Sequence, residues 1–429
     1  MPTPSFIPSP DVALSLHTLL DMYERRYGGP TDRALHKSLR CDLATLPLPG
    51  YHSQIDPVPR QIANEQLQAL ELAGWLKLSW LPGETGHLLA AVALVPEHAA
   101  SIFTLLLRTP QAAQRARLID LLLGERFRFA DWRLDALQRT LDNLKADKSS
   151  APFSLTDAEF NRDLLIALAA LDNVREETPY RVFSVRVFND SKRFETMIGA
   201  VCTLARRHQA AWHDWSNEEV LRELNLTANP THLYLHGPWQ LIDEAGQIIP
   251  LDGFDPSVGL AAAQAQHMQA ARVEAEQIIC VENQTTFYEL IRHKNLTQVS
   301  EPPLASFATI CLWGNPSPAC RHLLSSLPTE MPLHVWADID YGGLNILAQL
   351  REQVNRHAQP YGMDIPTLEA YARWAQPLTS GDVRHLNRLL RRTALADMHP
   401  LIEHLLRRGL KLEQEAIRPA WIIEHMRST

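Results

Sequence analysis

Leu333-His-Val-Trp-Ala-Asp-Ile-Asp-Tyr-Gly-Gly343 ends a short apolar run in two aspartates, Asp338 and Asp340. A second run, Gln277-Ile-Ile-Cys-Val281, ends in Glu282. Both runs are brief, rich in β-branched or aromatic residues and bounded by loop signals, so each reads as a buried strand of a parallel sheet. Ligands of such sheets gather beyond the carboxyl ends of the strands. Side chains alternate along a strand, so Asp338 and Asp340 point the same way. Two carboxylates that close repel each other unless a cation or a proton intervenes. The expected site is therefore a divalent-metal centre of Glu282, Asp338 and Asp340, with Mg²⁺ or Mn²⁺ as the natural cation for an all-oxygen donor set. Taken alone, Asp-x-Asp has a plainer explanation, the capping of the helix that follows it. Gly342 and Gly343 are expected to leave room for a bulky substrate backbone.

Outward from this stretch, the chain from about residue 261 alternates strand and helix. Thr285–Arg292, Ala319–Leu327 and Leu344–Arg351 read as helices, and Thr309–Trp313 reads as a further strand ending at Gly314. Strand spacings of this size suit right-handed βαβ crossovers. The expectation is an α/β domain over 261–429.

Upstream, Gln61–Ala73 has helical spacing and stops at Gly74, and Trp75–Trp80, Pro82-Gly83 and Leu88–Val95 read as a hairpin. Residues 10–98 thus outline either a winged-helix-like α+β domain or a generic α+β packing module. Residues 99–173 read as a helical arm or insertion, and 174–260 as an α+β connecting region. Within that region Pro179–Phe188 alternates like a strand and runs into Asn189-Asp-Ser-Lys-Arg-Phe-Glu195 before a helix. Asp190 or Ser191 would cap that helix, and Lys192 and Arg193 would make a weak phosphate or DNA contact. His232–His236 reads as another short strand.

The chain has 429 residues, ordinary globular composition, and 41 basic against 49 acidic residues for a formal charge of −8. Net acidity argues against tight stand-alone nucleic-acid binding. Locally the balance reverses: basic residues outnumber acidic ones eight to four from Arg384 to Arg418 and six to two from Arg181 to Arg207. These faces are open to DNA or simply solvated. Five scattered cysteines with no Cys-x-x-Cys pair point away from a zinc ribbon or disulfide framework and toward a reducing compartment. No apolar stretch is long enough to span a bilayer, and Met-Pro-Thr-Pro-Ser lacks a signal-peptide pattern, so the cytoplasm is the expected location.

Val281-Glu-Asn283, Trp313-Gly314, Trp336–Gly343 and the late Leu412-Glu-Gln-Glu-Ala416 together resemble the carboxy-terminal Toprim domain of the JetD family. This family, also called MksG, supplies the nuclease subunit of Wadjet plasmid-defence systems, and its Toprim domain is related to that of the topoisomerase VI A subunit. The resemblance is closest over residues 261–429. It implies a metal-dependent DNA endonuclease that cleaves circular plasmid DNA together with SMC, kleisin and kite-type subunits, usually as a homodimer. The family glutamate falls on Glu282 and its Asp-x-Asp on Asp338 and Asp340. Topoisomerase VI relatives attack DNA with a winged-helix tyrosine. Tyr23, Tyr27 and Tyr51 leave open a transesterase, and a non-catalytic DNA-clamping module is the other alternative. Glu413 and Glu415 either join the site or face solvent, and solvent is the expectation.

Overall fold

The computed structural model describes residues 6–27, 39–209, 212–297 and 306–425. The chain forms two compact units, Met1–Leu165 and Ile166–Thr429. No helix among the described residues is long and apolar enough to cross a membrane.

The first unit opens with helix α1 (Pro10–Tyr27), strand β1 (Leu39–Asp42), α2 (Val58–Leu72), and the hairpin β2 (Leu76–Trp80) and β3 (Leu89–Leu94), followed by α3 (Ala99–Leu105). The strands form an antiparallel sheet in the order β1-β3-β2. The helix and hairpin expected at 61–95 are both present. The α2 helix stops where Gly74 adopts a φ of +80°, a left-handed conformation that a side chain would resist. Leu16, Leu19 and Leu20 of α1 share one core with Leu67 and Leu70 of α2, Val92 and Leu94 of β3, and Ile102 and Phe103 of α3. Helices α4 (Gln111–Glu125) and α5 (Trp132–Lys145) continue the unit, and α6 (Ala158–Ala170) follows.

One ion-pair network clamps the first unit. Arg108 donates to Asp21 at 2.6 Å and to Glu24 at 2.5 Å, and Glu24 also accepts the backbone N–H of Gln111. Glu24 is buried. Removing its cation strands a charge away from water, so Arg108→Ala is expected to destabilise this unit by about 3–5 kcal/mol in urea unfolding. A loss within experimental error would show that the network contributes nothing.

In the second unit, β4 (Thr178–Pro179) leads into α7 (Tyr180–Phe188), then α8 (Ile198–His208), α9 (Asn217–Glu223), β5 (Leu226–Thr227), β6 (His232–His236), β7 (Trp239–Ile242), β8 (Ile248–Pro250), β9 (Val258–Ala261), α10 (Ala262–Gln266) and β10 (Ala270–Val273). The strand expected over 179–188 is thus a helix. Its alternation misleads because Val182 and Val185 stay exposed, while Phe183 packs edge-on against Phe194 and Ser184 accepts the Phe194 N–H at 3.0 Å. Tertiary packing on one helical face overrides the period-two pattern.

The rest of the unit contains β11 (Gln277–Val281), α11 (Gln284–Thr297), β12 (Phe307–Cys311), α12 (Pro318–Ser325), β13 (Leu333–Trp336), α13 (Tyr341–Gln353), β14 (Gln359–Pro360), α14 (Ile365–Ala370), β15 (Gln376–Pro377), α15 (Ser380–Leu389), α16 (His399–Arg408), β16 (Leu410–Lys411) and α17 (Pro419–His425). A six-stranded mixed sheet runs β14-β13-β11-β12-β6-β9. The four strands from β14 to β12 are mutually parallel, whereas β6 and β9 pair antiparallel. The run of β-branched and aromatic residues on β11, β12 and β13 is almost wholly buried, as expected for strands covered by helices on both faces. All five cysteines are free and buried.

A carboxylate cluster at the strand ends

Parallel pairing sets Val281 of β11 beside Trp336 of β13 and Cys311 of β12. The residues just beyond, Glu282 and the Asp338–Asp340 segment, therefore leave the sheet at the same edge. The segment stays extended: Ile339 exchanges backbone hydrogen bonds with Leu412 at 2.8 and 3.2 Å. Ile339 is fully buried, and the aspartates on either side turn the other way into a half-buried position.

Backbone N–H groups hold each carboxylate. Glu282 Oε2 accepts the Asp338 N–H at 3.0 Å, Asp338 Oδ1 accepts the Gln414 N–H at 2.6 Å, and Asp340 Oδ1 accepts the Gly343 N–H at 3.0 Å. The last bond makes Asp340 the N-cap of α13, so the plain capping explanation holds for that residue. It does not account for Glu282 or Asp338. Burial first, then the neighbouring Asp338 charge, pushes the Glu282 carboxyl well above its ordinary range. Burial raises Asp338 too, reinforced by Asp340, Glu415 and Glu413 and opposed by the Gln414 hydrogen bond. Asp340 is raised by burial and eased by the Gly343 N–H and Lys411.

Gln414 connects the parts. Its side chain is fully buried, donates to the Trp336 carbonyl at 2.7 Å and accepts the Asn283 N–H at 3.1 Å. Asn283 in turn donates to Glu415. Glu413 and Glu415 are exposed, as expected, yet both sit close enough to raise the Asp338 carboxyl. They border the cluster, a placement that depends on the Ile339–Leu412 pairing.

Gly343 has a different role from the one expected. A Cβ on Gly343 would lie 2.1 Å from the Asp338 carbonyl oxygen, so its missing side chain makes room for the chain's own backbone and not for a substrate. Gly342 is freer, its nearest neighbour being Asp340 Oδ1 at 3.2 Å.

Lys192 and Arg193 lie in a turn where the Lys192 N–H donates to Asp190. Because α7 replaces the expected strand and α8 begins only at Ile198 with no side-chain cap, the strand–turn–helix phosphate geometry does not form. Half of the basic run at 384–418, four of its eight residues, is spent on internal ion pairs: Arg388 with Asp214, Arg392 with Glu352, Arg408 with Glu369 and Lys411 with Asp382. Among the tyrosines, Tyr23 and Tyr51 are buried. The Tyr51 hydroxyl donates to Asn64 at 2.7 Å and accepts the Leu89 N–H at 2.9 Å. Tyr27 is half-buried against the Tyr23 ring at 5.3 Å.

The all-oxygen donor set, its shared negative charge and its partial burial suit a hard divalent cation. Among the described residues no group of three or more His, Cys, Asp or Glu side chains is placed to hold a metal ion as the chain stands, so a cation would have to draw these carboxylates together. Each of the three carboxylates has one oxygen engaged by a backbone N–H.

Residues 244–426, which include every carboxylate of the cluster, match the family model described as Wadjet protein JetD, C-terminal. The chain is also 23% identical over 373 residues to the Wadjet protein JetD of Bacillus cereus (strain Q1), covering 86% of this chain and 88% of that protein. Over residues 244–426 the chain is therefore similar to the C-terminal region of the Wadjet protein JetD family.

Proposed function

We propose that this protein acts in a Wadjet defence system as a divalent-metal-dependent DNA endonuclease. The observation that supports the reading is that Glu282, Asp338 and Asp340 lie at one edge of the parallel strands, each held by a backbone N–H. In this reading the second unit is Toprim-like and the first is winged-helix-like. The chain works as a homodimer with SMC, kleisin and kite-type subunits on circular plasmid DNA. Acidic overall charge and internally paired arginines fit a nuclease that depends on partners to reach its substrate.

Glu282, Asp338 and Asp340 would hold Mg²⁺ or Mn²⁺. A bound cation supplies charge neutralisation at the scissile phosphate and activation of water. The chain's own part is positional: the Asp338 N–H fixes Glu282, the Gln414 N–H fixes Asp338, and Gln414 ties both strand ends together through Trp336 and Asn283. Magnesium keeps several of its waters and needs only one or two carboxylates, so a half-open cluster suffices.

Two measurements test this. Supercoiled plasmid incubated with the protein, alone and with its partner subunits, is expected to be cut with Mn²⁺ or Mg²⁺ and spared with EDTA. Mn²⁺ is also expected to raise the melting temperature, by the equivalent of about 2.7 kcal/mol at a hundred times the dissociation constant. No thermal shift at millimolar Mn²⁺ would remove the metal from the reading, and no cutting under any of these conditions would remove the nuclease.

A further inference from the structure

A cavity of about 350 Å³ lies beside the cluster, lined by Glu218, Arg222, Thr227, Asn229, Tyr234 and Trp313 among others. Its size is that of a small-ligand site. The backbone of Leu312–Gly314 runs alongside Val281 and Glu282: the Leu312 N–H donates to the Val281 carbonyl at 2.8 Å and the Gly314 N–H to the Glu282 carbonyl at 3.3 Å. The cavity and the carboxylates thus flank neighbouring strand ends of the same sheet edge.

Two features of the cavity bear on its occupant. Trp313 is 56% exposed, and its φ of +54° is a left-handed conformation that so bulky a residue rarely adopts. Its ring meets Tyr234 at 5.9 Å, with the planes tilted by 39°. The charges on the wall cancel, Arg222 lying 3.5 Å from Glu218, so the cavity is poorly made for a phosphate. Aromatic walls, polar edges and no net charge suit a flat neutral heterocycle.

We propose that this cavity takes one unstacked nucleobase of the DNA strand whose phosphate lies at the carboxylates, with Trp313 as the stacking platform. The proposal takes its substrate from the nuclease reading, but it is tested without cleavage. An enzyme that draws a base out of the duplex pays for unstacking and recovers the cost in such a pocket. Trp313 is then a substrate-positioning residue that favours DNA already distorted or opened near the cut.

The test is binding of a short fluorescein-labelled oligothymidine strand to the full chain in EDTA. Trp313→Ala is expected to weaken binding roughly 5- to 150-fold, the range for loss of one base–aromatic stack, and Trp313→Phe by no more than about threefold. A strand of abasic sites should bind the wild type no better than the thymidine strand binds Trp313→Ala. Equal binding by wild type and Trp313→Ala, or equal binding of the abasic and thymidine strands to the wild type, overturns the proposal. If dTMP alone binds as tightly as the strand, the ligand is a free nucleotide and the assignment to DNA is overturned. Trp313-dependent binding by a chain that never cuts plasmid would sink the nuclease reading and leave the pocket standing. Cutting without Trp313-dependent binding would do the reverse.

Discussion

Asp338→Asn and Glu282→Gln are each expected to slow metal-dependent plasmid cutting by about 10³-fold, the scale of losing one positioned electrostatic group. Both substitutions keep the acceptor oxygen that the backbone uses. The amide oxygen introduced by Asp338→Asn can still take the Gln414 N–H, and the one introduced by Glu282→Gln can still take the N–H of residue 338. The fold should therefore survive. Without metal these variants are expected to be at least as stable as the wild type, because burial and like charge already press Glu282 and Asp338 to give up their ionised forms. The two readouts move oppositely: cutting falls while metal-free stability holds or rises. A purely structural carboxylate would lower both. Cutting at the wild-type rate by either variant would end the assignment of these residues to catalysis. Equal loss of stability and activity would mean that they only hold the strand ends.

Much of the cluster was legible because its determinants are local. An apolar run followed by an acid says where a parallel strand ends, and the βα rhythm from Gln277 to Arg351 says that neighbouring strands end at one edge. What was not legible depends on contacts distant in sequence. Gln414 looks like a solvated polar residue, yet the antiparallel pairing of Ile339 with Leu412 buries it among Trp336, Asn283 and Asp338. The same pairing brings Glu413 and Glu415 to the rim. Strand β6 joins the main sheet antiparallel to β12, although nothing in His232–His236 specifies its partner. The Pro179–Phe188 segment failed for a related reason. With β-branched and aromatic residues at both helical and strand spacings, packing of Phe183 on Phe194 decides between them. The arginine-rich tail was misleading in another way, since sequence counts charges but not their partners.

Gly343→Ala is expected to be the most damaging single methyl group in the second unit. The added carbon would sit 2.1 Å from the Asp338 carbonyl oxygen and 2.9 Å from its carbonyl carbon and amide nitrogen, all backbone atoms that no rotamer change can move. Relief requires the 338–343 turn to open. That breaks the Gly343 N–H bond to Asp340 and shifts the Asp338 N–H that holds Glu282. Overpacking against rigid backbone costs about 3 kcal/mol or more, and cutting should fall below detection at the same time. Gly342→Ala meets only an aspartate side-chain oxygen at 3.2 Å and is expected to cost less than about 1 kcal/mol. The pair separates two roles for the diglycine. If the glycines chiefly admit a DNA backbone, Gly342→Ala should impair DNA binding and cutting in a stable protein, while Gly343→Ala should unfold no earlier in urea than the wild type. If Gly343 instead lets the chain pass close to itself, its alanine variant loses stability with no DNA present. Unfolding curves of the two variants, taken without DNA or metal, decide the matter, and coincident curves would refute the close-approach argument.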